Sequence, residues 1–183
     1  LCTAAAGLRA QEVPSDASPK PYAVDGPGAL RCAEFTAKAG DAETTREVAI
    51  WLAGYLTAYQ RLMPEVYDLT PWQTPGVLIG LLQQYCKAND RARVEQGASQ
   101  LVGYLAPRAL RGAAKRVTLG TGDKVVVLYA PVVAEIRARL AAAGHPPGPT
   151  EADLAAALSA YQADKGLAVT GLADQATLVI LLQ

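Results

Sequence analysis

Apolar residues return at intervals of three and four through most of this chain, and Gly or Pro closes each run, a spacing that restricts the fold to packed helices. From Thr44 to Tyr59 the positions are Val48, Leu52, Tyr55, Leu56 and Tyr59, which share one helical face. A second helix is predicted over Pro75 to Lys87, with Thr74 as cap, Pro75 at the first position and Val77, Leu81, Leu82 and Tyr85 as its buried stripe. A third runs from about Arg91 to Leu105, carrying Val94, Ala98, Leu101, Val102 and Leu105 inward, and Pro107 stops it. Only 6% of the residues are aromatic although 51% are hydrophobic, so the core must come mainly from Ala, Leu and Val.

The pattern changes after Arg111. Lys115 to Leu119 and Lys124 to Leu128 read as two β-branched strands around the turn Gly120-Thr121-Gly122-Asp123, the signature of a hairpin. Val125, Val126 and Val127 run consecutively, so both faces of the second strand are apolar and at least one needs cover. An isolated hairpin is marginal in water, so this one is expected to lean on a neighbouring domain. Helical spacing then resumes. Pro131 opens a helix with Val132, Val133, Ile136 and Leu140 inward, ending at Gly144. Thr150 with Asp153 forms a capping-box pair before Leu154, Leu158 and Tyr161, Gly166 closes that helix, and Asp174 caps a last one holding Leu178 and Leu182.

A length of 183 residues fits two small domains. Residues 1–10 read as the tail of a secretory signal with cleavage after Ala10, and residues 11–29, with Pro14, Pro19, Pro21, Gly26, Pro27 and Gly28, read as a tether. If Cys2 leaves with the signal, Cys32 and Cys86 remain as an even pair, for which a disulfide is the ordinary expectation in an oxidising compartment and two separate buried thiols the alternative. The fold class expected is mainly α: a disulfide-stapled helical bundle plus a small three-helix domain, joined by a short β-hairpin.

Several function classes find no parts here. Seventeen basic residues balance seventeen acidic ones without long single-sign runs, so no footprint for nucleic acid is present. No apolar segment reaches the roughly 18 uninterrupted residues a spanning helix needs. His145, the one histidine, sits beside Pro146-Pro147-Gly148 and far from either cysteine in sequence, so no metal site and no serine or cysteine triad is assembled. Nothing selects Glu34, Glu65 or Asp68 as paired carboxylates, and the chain is expected to be no enzyme and to need no cofactor.

Two resemblances extend this reading. Cys32-Ala33-Glu34-Phe35, Trp51-Leu52-Ala53-Gly54-Tyr55, Tyr85-Cys86-Lys87-Ala88-Asn89 and Leu101-Val102 together resemble the HdeA-type family of small periplasmic helical proteins, over about residues 30–106. That resemblance implies a disulfide-linked helical bundle in the periplasm, whose best-known relatives are acid-activated chaperones. Within it, Trp51 and Tyr55 are expected to pack the core while Gly54 admits a neighbouring helix. The second is carried by Ile136 to Leu140, Ala143-Gly144-His145, Ala160-Tyr161-Gln162, Gly166-Leu167-Ala168-Val169-Thr170-Gly171 and Asp174-Gln175-Ala176-Thr177-Leu178. It resembles the peptidoglycan-binding domain of bacterial wall enzymes from about Pro131 to Gln183. Gly148-Pro149-Thr150-Glu151-Ala152-Asp153 is shorter than the corresponding loop of that family and lacks its Asp-Gly.

The resulting domain plan is residues 1–10 signal remnant, 11–29 tether, 30–112 HdeA-like domain, 113–129 hairpin linker and 130–183 peptidoglycan-binding-like domain. The expected function is that of a non-catalytic periplasmic binding or structural accessory, held at the wall or docked on a larger envelope assembly. An acid-stress chaperone and a peptidoglycan-targeting module that works with a separate wall hydrolase are the alternatives. Expected partners are peptidoglycan or an envelope protein complex. Tyr161, Gln162, Thr170 and Asp174 are the candidate ligand residues, although each also has a structural role as core residue, helix-end partner, turn residue or cap and that role is the preferred reading, and Val125, Val126 and Val127 are the candidate interface.

Overall fold

The computed structural model describes residues 22–183. The signal remnant with Cys2, and residues 11–21 of the tether, lie outside the described residues. Four helices build the first part: α1 (Cys32–Ala37), α2 (Ala42–Leu62), α3 (Pro75–Ala88) and α4 (Val94–Leu105). A hairpin of β1 (Arg116–Thr121) and β2 (Lys124–Tyr129) follows, then α5 (Ala130–Ala142), α6 (Glu151–Asp164) and α7 (Gln175–Leu182).

Local chemistry explains most helix starts. The Asp41 carboxylate accepts the Thr44 N–H at 2.7 Å and opens α2. Glu34 reaches back to the Arg31 N–H, and Gln96 to the Arg93 N–H, so α1 and α4 begin with an otherwise orphaned donor satisfied. Thr74 holds the cap position of α3 with Pro75 after it, but its side chain makes no capping bond.

The disulfide between Cys32 and Cys86 spans 54 residues and joins α1 to the end of α3 with the Cα atoms 4.7 Å apart. It also explains which face of α3 is inside. The buried residues are Leu78, Ile79, Leu82 and Cys86, not the predicted Val77, Leu81 and Tyr85 with Leu82. Leu78, Leu82 and Cys86 repeat every four residues, so fixing Cys86 inward against Cys32 turns that stripe to the core and leaves Leu81 and Tyr85 on its flank. The stripe of α4 matches expectation, with Val94, Ala98, Leu101, Val102 and Leu105 all buried.

Two glycine readings change. Gly54 is exposed and meets nothing, whereas a Cβ on Gly97 would lie 2.6 Å from Leu82, so the close helix approach is at Gly97. The Trp51 ring stacks on Tyr55 at 5.3 Å and covers Gly28, where any Cβ would collide with the indole. Gly26–Ala29 is accordingly a 3-10 turn docked on α2, although its Pro and Gly content reads as free chain in the sequence.

The hairpin pairs Arg116 with Tyr129 through Thr121 with Lys124. Leu119 and Leu128 are buried, with Val117 and Val126 packed behind them, on one core with α5, α6 and α7. That second core also contains Trp72, which belongs to the long crossing between α2 and α3 and is only 9% exposed. The crossing is tied down along its length. Asp68 and Leu110 form a β-bridge, Tyr67 meets the Tyr129 ring edge-on at 6.4 Å, and the Thr74 N–H donates to Gln175 Oε1 at 3.0 Å.

Candidate functional site

Gln162, on the inner face of α6, is fully buried. Its Oε1 accepts the N–H groups of Thr170 and Gly171, each at 2.9 Å. Its Nε2 donates to the Leu172 carbonyl at 2.9 Å and to the hydroxyls of Thr170 and Thr177 at 3.0 and 2.8 Å. Those hydroxyls pass the chain on to Asp174, at 2.6 Å from Thr170 and 2.8 Å from Thr177, and Asp174 also accepts the Thr177 N–H that starts α7. Gly171, at a φ of 67°, supplies the left-handed turn that aims its N–H at the amide, with Ser159 and Ala155 close behind it.

Gln162, Thr170 and Asp174 are therefore brought together, with Thr177 as a fourth member the sequence reading missed. Their hydrogen bonds point at one another, and the cluster shapes the turn between α6 and α7. Tyr161, beside Gln162, is buried with its ring edge-on to His145 at 5.8 Å.

The short loop before α6 is tied down in the same way. Arg137 donates to the carbonyls of Gly148 and Thr150 at 2.6 and 3.0 Å. Thr150 and Asp153 exchange the capping-box bonds, and Glu151 accepts the Gly120 N–H of the hairpin at 2.8 Å. Between that turn and α6 lies a groove of about 350 Å³, lined by Leu119, Glu151, Ala155, Leu158 and Leu172 among others.

The valines divide by face. Val126 packs inward, while Val125 and Val127 are 45% and 50% exposed on the opposite side. They line the outer surface with Thr118, the cross-strand neighbour of Val127. Among the described residues no group of three or more His, Cys, Asp and Glu side chains could hold a metal ion, and no helix is long and apolar enough to cross a membrane.

The capping carboxylates are expected to make the fold sensitive to acid. Hydrogen bonds from Thr44 hold the Asp41 carboxyl below its ordinary value, and those from Thr150 do the same for Asp153. Burial alone would raise Asp174, yet the bonds from Thr170 and Thr177 outweigh it and hold that carboxyl low too. A carboxyl depressed in the folded state adds stability above its unfolded value of about 3.9, and that contribution is lost as the pH falls through the folded value. Thermal melts followed by circular dichroism should give a midpoint that is flat from about pH 7 to 5 and falls steadily below about pH 4. Asp174→Asn should melt lower at neutral pH and lose less on acidification; an acid slope equal to that of the unaltered chain would refute the assignment.

Comparison with known families bears on the C-terminal part. Residues 130–181 match the family model described as "Putative peptidoglycan binding domain". No curated protein and no solved structure matches the chain.

Proposed function

We propose that this protein is a non-catalytic accessory of the bacterial cell envelope, exported to the periplasm and either held at the wall or docked on a larger envelope assembly through its C-terminal part. The observation that carries this reading is the peptidoglycan-binding family match over residues 130–181. The export reading rests on the sequence of residues 1–10 and agrees with the Cys32–Cys86 disulfide, a bond that persists in oxidising compartments.

Contact with peptidoglycan itself should be weak. The polar atoms of Gln162, Thr170 and Asp174 bond one another, and Arg137, Thr150 and Asp153 hold the shortened loop inward, so these groups are already engaged within the fold and not turned toward a glycan or peptide. Co-sedimentation of the full chain with purified peptidoglycan should therefore yield a small bound fraction that does not saturate. Tight, saturable pelleting would instead make wall targeting the function and show that the short loop costs nothing. Release of soluble muropeptides during the same incubation would overturn the non-catalytic reading.

A further inference from the structure

We draw no further inference here: the strongest candidate, the groove of about 470 Å³ that Gln84 and Tyr85 of α3 line with Gln100 and Tyr104 of α4, carries nothing because nothing in the structure shows what covers it.

Discussion

Trp72→Ala should split the unfolding of this protein into two transitions and lower the first by about 3–5 kcal/mol, the usual cost of truncating a buried tryptophan. Trp72 lies in the crossing between α2 and α3, yet its ring is part of the core built by the hairpin, α5, α6 and α7. Neighbouring contacts alone would hold the two parts together poorly. The Thr74 to Gln175 bond is a single polar contact, and the Tyr67–Tyr129 pair is worth about 1 kcal/mol beyond its buried area. With the indole in place, the two cores should melt together. Calorimetry of the variant, with circular dichroism at several wavelengths, measures this directly. A single transition with an unchanged midpoint would show that the indole couples nothing.

The second large effect belongs to the disulfide. Replacing Cys32 and Cys86 together by Ala should destabilise the α1–α4 part by about 4 kcal/mol in urea unfolding, the loop-closure value for a bridge between residues 54 apart. The loss should fall on this part because the bond joins α1 to α3, where chain entropy in the unfolded state is otherwise unrestrained. Thiol labelling of the folded chain should leave both residues unmodified. Modification of both, or an unchanged midpoint in the double variant, would contradict the assignment.

What could be read from the sequence was what local chemistry decides. Asp174, Thr150 and Asp153 announce helix starts because a capping bond spans three residues, and the stripe of α4 is visible because its spacing is regular. The face of α3 was misread because both candidate stripes contain Leu82, and the choice is made by Cys86 bonding a residue 54 positions away. Trp72 carries no periodicity and lies between Pro71 and Gln73 in a loop, so its place in the second core depends on tertiary packing alone. In the candidate site, three members of the Gln162 cluster stood out from the pattern, but that their bonds close on one another depends on the turn at Gly171 and on Thr177.

The buried tryptophan also bears on how such a protein can be recombined. Residues 130–181 match one family model, but the core they enclose is completed by Leu119, Leu128 and Tyr129 before them and by Trp72 far upstream. Transplanting that segment alone onto another protein would leave an apolar wound where those large side chains had been. An exchange that preserves folding has to carry the hairpin along, and the recipient has to present an indole of its own.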